Sequence, residues 1–222
     1  MKYCGRGMRY ACSALSSGRL TKSGLRAIIL NMKTILVTGF MPFGGEEMNP
    51  AWEAAVRLPE QIHGVQIHSV QIPVSYRRSW ETLEAQLAQI QPSALLLIGQ
   101  AGGRARITPE RYARNEMRAE SADSDGVVCR GEAVSEGGEY LLSSALALKL
   151  AGEETPLSED AGRYVCNCLY YQALRHFDGP CVFVHVPYCE QSLGAKDGKP
   201  FMQMEDIAEG IRRIAEKIAE EI

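Results

Sequence analysis

The sequence predicts an α/β fold of one domain, in which helices cover a mostly parallel central sheet. Segments of strand and helix character alternate along the chain from Lys33 onward, and this alternation is typical of parallel sheets. Residues 94–100 and 181–186 are continuous apolar runs, as expected of strands buried on both faces. A length of 222 residues is within the range of one such domain.

The first half of the domain contains three predicted strands and two predicted helices. The strands lie at residues 34–38, 65–74 and 94–100, and the first helix lies at residues 51–58. The second helix is indicated by apolar residues at spacings of three and four, with Pro92 as its stop. These apolar residues are Trp80, Leu83, Leu87 and Ile90.

The second half begins with a polar, irregular segment at residues 115–138, which predicts a hairpin or a long surface excursion. Val127 and Val128 indicate at most one strand there. We expect a helix at residues 140–150, a helix that starts near Cys166, and a buried strand that carries His185 near its carboxyl end. The last helix, at residues 204–222, places four isoleucines on one face for packing against the sheet. They are Ile207, Ile211, Ile214 and Ile218.

The composition excludes several classes of protein. Hydrophobic residues at 45% and charged residues at 23% are close to globular averages. No apolar run approaches the roughly 20 residues that span a bilayer, so we expect no membrane partner. No basic patch with interleaved aromatic residues is present, so we expect no nucleic acid partner. Seven cysteines, an odd and modest number, favour free thiols in a reducing cytoplasm.

Residues 1–31 differ in composition from the rest of the chain and are predicted to be a poorly ordered N-terminal extension. They contain six Lys or Arg and no acid, so without them the formal net charge falls from -3 to -9. Such a composition is superficially like a transit peptide. The clean strand that follows Met32 favours instead an upstream translation start or residues foreign to the natural protein. We therefore place the domain at residues 32–222.

Cys166 is the first candidate for chemistry, because it lies in the first turn of its predicted helix. The positive end of the helix dipole favours a thiolate there, so we expect a lowered pKa. A buried, inert cysteine is the alternative. Cys168 is a rival nucleophile. However, helix residues separated by two positions project roughly 200° apart, so Cys166 and Cys168 cannot both face one site.

His185 is the candidate base, because an imidazole at the end of a parallel strand points to the crevice where open α/β sheets bind ligands. A hydrogen-bonded core histidine is the alternative. His176 is expected at a helix end, whereas His63 and His68 flank Gly64 on the approach to a strand.

Glu110 is the candidate acid, in the segment ITPERYARN. Thr108 as N-cap and Pro109 at the first helical position predict a helix start, where an acid is favoured by the dipole. The carboxylate has a catalytic role only if it orients His185, and sequence spacing does not test this. For metals, CNC lacks the spacing of a zinc site, so we expect none.

Two loops contain glycine at strand ends. GFMPFGG lacks the spacing and the lysine of a phosphate loop, and Phe40 and Phe43 within it suggest two aromatic walls beside a small flat ligand. GQAGGR supplies backbone N–H groups near the same edge, suited to a carbonyl or a lactam. Either loop could equally be a simple strand-to-helix turn.

Five motifs in order, TGFMPFGGEEMNP, LLIGQAGGR, ITPERYARN, GRYVCNCLYY and VFVHVPYCEQ, resemble the pyroglutamyl peptidase I family over about residues 32–222. The resemblance implies a single-domain α/β/α sandwich with a mostly parallel, twisted central sheet, of the phosphorylase/hydrolase-like type. It also implies a cysteine peptidase that removes N-terminal pyroglutamyl residues from peptides, without metal or cofactor. The triad carried over by motif is Glu110, Cys166 and His185.

The resemblance also assigns a substrate pocket, and it differs from this sequence at one point. Phe40 and Phe43 would surround the lactam ring, and the other matching pocket residues are Asn49, Gln100, Tyr164 and Val165. The family often has an arginine near the site in the segment that reads NEMRAESADSDG here, and no residue is assigned that role.

The resemblance also implies expectations about partners and assembly. The partners are peptides with N-terminal pyroglutamate, and we expect a cytoplasmic homo-oligomer, a dimer or a tetramer. A nucleoside phosphorylase-like enzyme is the alternative by fold analogy. A protein that binds pyroglutamate or another small lactam without catalysis is the alternative of a different class.

Overall fold

A computed structural model describes residues 33–222, so the predicted extension at residues 1–31 lies outside the described residues. The main strands of the fold are β1 (Thr34–Phe40), β2 (Gln61–Ile62), β3 (Val65–Ile72), β4 (Ala94–Gln100), β5 (Thr108–Glu110) and β10 (Cys181–Val186). The short strands are β6 (Tyr112–Arg114), β7 (Met117–Arg118), β8 (Arg130–Glu132), β9 (Leu141–Ser143), β11 (Tyr188–Cys189) and β12 (Phe201–Met202). The helices are α1 (Pro50–Val56), α2 (Tyr76–Ile90), α3 (Ala145–Leu150), α4 (Val165–His176), α5 (Leu193–Lys196) and α6 (Met204–Glu221).

The central sheet has six strands in the order β2-β3-β1-β4-β10-β5. The four inner strands, β3, β1, β4 and β10, run parallel, whereas β2 and β5 are antiparallel edge strands. The carboxyl ends of β1, β4 and β10 therefore meet at one edge, where their exit loops can form a site. This confirms the predicted mostly parallel sheet.

Helices cover both faces of this sheet, because alternate residues of the buried strands point to opposite sides. On β4 and β10, Leu96 and Val184 belong to the core beneath α1, α3 and α6. Leu95 and Phe183 belong to a second core beneath α2 and α4. The predicted three-layer α/β/α sandwich is confirmed. By the same alternation, His185 lies on the face covered by α2 and α4.

Two predicted amphipathic helices, α2 and α6, are also confirmed. α2 begins after the N-cap Ser75, whose side chain accepts from the Arg78 backbone N–H, and ends at Gln91 in a left-handed conformation just before Pro92. In α6 the four predicted isoleucines are buried. Within residues 33–222, none of the helices has the length and apolar character needed to cross a membrane.

The predicted helix start at Thr108 is wrong, because these residues form β5, which pairs antiparallel with β10. On its other side, the Pro109 carbonyl accepts a hydrogen bond from the Ser158 backbone N–H at 2.9 Å. Proline is tolerated in an edge strand, where no ladder requires its missing N–H. The long-range pairing with β10 therefore overrides the local helix signal.

The irregular region also differs from the prediction in part. The segment forms a hairpin-like pair, β7 with β8, whereas Val127 and Val128 lie outside any strand and are exposed. The helix predicted at residues 140–150 is wrong in its first half. Residues 141–143 form β9 against β6, and only then does Ser144 cap α3, with its side chain accepting from the Ala147 backbone N–H.

Candidate active site

Glu110 and His185 form a buried hydrogen-bonded pair at the junction of β5 and β10. Both residues are almost fully buried, and His185 Nδ1 lies 2.7 Å from Glu110 Oε1. Glu110 is the register partner of Phe183, two residues before His185, so its side chain reaches the imidazole diagonally on the same face of the sheet. A carboxylate can only accept, so the imidazole proton is on Nδ1 and Nε2 is left free to accept a proton.

Cys166 lies over the same part of the sheet, as Gly99 shows. Gly99 is the register partner of His185 on the neighbouring strand β4. A Cβ atom on Gly99 would lie 3.0 Å from Cys166 Sγ and 2.7 Å from a ring carbon of Phe183. The sulfur therefore lies close to Gly99. The Gly99 backbone is itself one strand spacing, about 4.8 Å, from the backbone of His185. The structure thus brings Cys166, His185 and Glu110 together.

The thiol of Cys166 is not activated in the way the sequence predicts. The residue is the second of α4, as expected. However, burial and, to a smaller extent, the negative charge of Glu110 together raise the pKa of the Cys166 thiol to about 12. The expected lowering of this pKa by the helix start is wrong. A thiol with this pKa is neutral near pH 7.

Cys168 is placed away from this cluster, as the helical spacing predicts. Its side chain is buried in the core between α2 and α4, and its Sγ lies 3.7 Å from the Tyr76 carbonyl oxygen. Burial raises the pKa of the Cys168 thiol to about 12 as well. Among the described residues, Cys168 is therefore a core residue.

Arg104 joins the cluster from the loop after β4, and sequence reasoning missed it. Its Nη1 lies 2.7 Å from Glu110 Oε1, the oxygen that also faces His185. The guanidinium also contacts the Thr108 hydroxyl and donates to the Asp160 carbonyl at 2.9 Å. The only sequence signal was its place at the end of GQAGGR, which by itself does not predict a contact with Glu110.

Asn167, next to the nucleophile candidate, fixes the start of α4. Its fully buried amide accepts from the Arg114 backbone N–H at 2.8 Å and donates to the carbonyls of Arg114 and Glu116 at 2.8 and 3.0 Å. Tyr164, the N-cap residue, makes no side-chain cap bond. The neighbouring strands therefore hold this helix start in place, and its free N–H groups remain available.

Comparison with known proteins identifies the family of this chain. A family model described as pyroglutamyl peptidase matches residues 33–221. The chain belongs to the pyroglutamyl peptidase family.

Individual relatives support the family assignment. A pyrrolidone-carboxylate peptidase of Streptococcus pyogenes serotype M5 (strain Manfredo) is 39% identical over 189 residues, which cover 80% of this chain and 88% of that protein. The crystal structure of pyroglutamyl peptidase I from Bacillus amyloliquefaciens matches with a TM-score of 0.77 and 31% identity, over 85% of this chain and 95% of the other. Pyrrolidone carboxyl peptidase from Thermus thermophilus matches with a TM-score of 0.77 and 31% identity, over 82% and 99% of the two chains.

Of the pocket residues that the family resemblance implies, Phe40 packs near Phe183, whereas Phe43 and Tyr164 line a cavity. Phe40 is buried, with its ring centroid 6.4 Å from that of Phe183. Phe43 and Tyr164 line a cavity of about 460 Å³. The Tyr164 hydroxyl donates to the Ala122 carbonyl at 2.9 Å, which closes one wall of this cavity.

The remaining three residues have different surroundings. The Gln100 side-chain oxygen, at the end of β4, is buried and has no hydrogen-bond partner. Val165 is fully buried in the core under α4. Asn49 caps α1: its Oδ1 accepts from the Ala51 backbone N–H at 3.0 Å and its Nδ2 donates to the Met41 carbonyl at 3.2 Å. Asn49 therefore supports the loop that carries Phe43.

The departure from the family pattern in NEMRAESADSDG is visible in the structure. Arg118, the arginine of this segment, pairs with Glu116 at 3.1 Å and its side chain is 65% exposed. For metals, no group of three His, Cys, Asp or Glu side chains forms a possible site among residues 33–222.

Proposed function

We propose that this protein is a cysteine exopeptidase that hydrolyses the bond after an N-terminal pyroglutamyl residue, with Cys166 as nucleophile, His185 as base and Glu110 as the acid that orients it. Membership of the pyroglutamyl peptidase family supports the substrate class. The observation that carries the assignment is the 2.7 Å contact of His185 with the buried Glu110, beside the sulfur of Cys166.

The first half of the reaction forms an acyl-enzyme. As Cys166 Sγ attacks the pyroglutamyl carbonyl carbon, the thiol proton passes to His185 Nε2, and the carbonyl oxygen becomes an oxyanion. Free N–H groups at the start of α4 stabilise this oxyanion. The carbon–nitrogen bond then breaks, and the amine leaves with the proton from His185.

The second half releases the product. His185 takes a proton from a water molecule, the water oxygen attacks the thioester carbon, and the sulfur leaves and recovers its proton. Throughout both halves Glu110 holds the Nδ1 side of the ring and stabilises the imidazolium whenever it forms. These steps use only side chains and backbone groups of this chain.

Recognition of the lactam is assigned to the edge of the sheet. The flat ring would lie between the phenyl groups of Phe40 and Phe43, where apolar surface favours a neutral lactam over a charged glutamyl residue. The buried, unpartnered oxygen of Gln100 suits the lactam N–H as a donor. Tyr164 and Val165 flank the nucleophile, and Asn49 holds the loop in place.

The decisive experiment compares Cys166→Ala with Cys168→Ala on a fluorogenic pyroglutamyl amide in phosphate-free buffer. We expect the first variant to lose cleavage while keeping its melting temperature. The second should keep cleavage, because its sulfur is on the core side of the helix. An inactive Cys168→Ala with an active Cys166→Ala would refute the assignment. Turnover that requires added phosphate would favour a phosphorylase, and binding of pyroglutamate without turnover would favour a sensor.

We also propose that the protein works in the cytoplasm as a homo-oligomer. The cysteines of the described residues are all free, which suits a reducing compartment. The dimer or tetramer remains a prediction from the sequence, and light scattering of the purified protein would test it.

A further inference from the structure

We propose that Arg104 is a positioning residue of the reaction, which keeps Glu110 ionised and aimed at His185 so that the imidazole can act as a base. The inference rests on the proposed function. It starts from an unusual feature of the pair: Glu110 is fully buried, and its Oε2 atom has no hydrogen-bond partner. A buried carboxylate is costly unless a cation compensates for its charge.

Arg104 supplies that compensation. Its guanidinium shares Glu110 Oε1 with the imidazole, each at 2.7 Å, and its side chain is only 25% exposed. A neutral His185 offers one hydrogen bond but no charge. In the resting protein Arg104 is therefore the group that compensates for the negative charge of the buried carboxylate.

The arginine also fixes the geometry around the site. Its second nitrogen donates to the Asp160 carbonyl at 2.9 Å, in the loop that leads into α4. One guanidinium thus joins the exit of β4, the acid on β5 and the approach to Cys166. Loss of this contact would loosen the acid and the nucleophile relative to each other.

The protonation of the pair follows from the charges that face it. These are Arg104 from the loop after β4, with Cys166 and Tyr170 from α4. The carboxylate of Asp160, in the loop before α4, is largely exposed and pairs with Arg114 and Arg163 instead. Removal of the Arg104 cation makes uptake of a proton by the Glu110–His185 pair easier. The extra proton either neutralises the acid or occupies the base, so activity should disappear at a higher pH than in the wild type.

The test uses the full chain and four proteins: wild type, Arg104→Gln, Arg104→Lys and the control Arg106→Gln. Arg106 lies in the same loop, is exposed and donates to the Glu153 backbone carbonyl. The substitution Arg106→Gln therefore removes one positive charge from this loop without removing a contact to Glu110 or His185. We would measure kcat and KM on a pyroglutamyl amide from about pH 5 to about pH 9, together with the melting temperature.

We expect Arg104→Gln to lower kcat about tenfold or more near neutral pH, with a smaller change in KM, and to move the acid limb of the profile upward by about one pH unit. Arg104→Lys should restore part of both effects, and Arg106→Gln should match the wild type. An unmoved acid limb in Arg104→Gln, or a loss of activity that only follows a loss of folded protein, would overturn the inference.

A second readout separates this inference from the proposed function. Alkylation of Cys166 by iodoacetamide, followed by mass spectrometry, requires no turnover. The Arg104 charge favours the thiolate, so Arg104→Gln should alkylate more slowly than the wild type and Arg106→Gln should not. If the wild type cleaves no pyroglutamyl amide but this difference remains, the proposed function fails, whereas the electrostatic effect of Arg104 on the cluster stands. Equal alkylation rates in all variants would count against Arg104.

Discussion

Gly99→Ala is the substitution that tests the arrangement of the site most directly. The added Cβ would lie 2.7 and 2.9 Å from two ring carbons of Phe183 and 3.0 Å from Cys166 Sγ. Carbon atoms in contact are normally about 3.5 Å or more apart, so the shortest of these distances is too short by about 0.8 Å. The backbone of β4 is held by strands on both sides, so Phe183 and the sulfur have to move instead.

The expected consequence is a larger loss of activity than of stability. Overpacking of this kind costs about 1–3 kcal/mol, which for a domain of this size lowers the melting temperature by about 2–10 °C. Displacement of a reacting atom by about 1 Å can lower turnover about a hundredfold. Both would be measured, by thermal unfolding and by kcat on a fluorogenic pyroglutamyl amide.

Gly152→Ala is the matched control, since a Cβ there would meet only the Thr155 hydroxyl, at an ordinary 3.9 Å. It should leave kcat unchanged. If Gly99→Ala keeps both the kcat and the melting temperature of the wild type, the sulfur does not stand against this strand, and the assembly of the site described above is wrong.

Two further predictions concern single side chains. Glu110→Gln keeps the shape of the acid but not its charge, and we expect kcat to fall about a hundredfold. The loss of stability should be smaller, because the partly exposed Arg104 can regain water. If the free energy of unfolding, measured by chemical denaturation, falls by as much as the free energy that corresponds to the loss of kcat, Glu110 has a structural role only. The second follows from burial, which raises the Cys168 pKa from 9.0 to about 12. The unfolded chain then releases this proton at a lower pH than the folded protein does, so stability is lost as pH rises from about 9 to about 12, by up to about 1.4 kcal/mol per pH unit for this thiol. Urea unfolding at several alkaline pH values should show a shallower decline in Cys168→Ala, and an unchanged slope would contradict the prediction.

The sequence predicts those parts of the molecule in which local pattern and tertiary environment agree. The inner strands are uniformly apolar and the helix α6 has a clear stripe, so their positions follow from periodicity alone. The segment at Thr108 is different, because its proline and threonine carry a helix signal while its pairing partner lies about 75 residues further along the chain. The same long-range pairing brings Glu110 to His185, so the contact that defines the site could be proposed from the family resemblance but not from spacing.

The charge state of Cys166 shows why the position of a residue on a helix is insufficient to predict its reactivity. A helix start favours a thiolate by about 0.3–1 kcal/mol at an exposed position and by about 2 kcal/mol at most. Burial, with a smaller contribution from the negative charge of Glu110, raises the pKa of this thiol from 9.0 to about 12, which corresponds to about 4 kcal/mol in the opposite direction. The environment of the thiol therefore outweighs the helix dipole, and in the proposed reaction the sulfur becomes a nucleophile only by giving its proton to a neighbouring base. That requirement makes the imidazole of His185, held by Glu110 with Arg104 beside the carboxylate, the controlling feature of the proposed site.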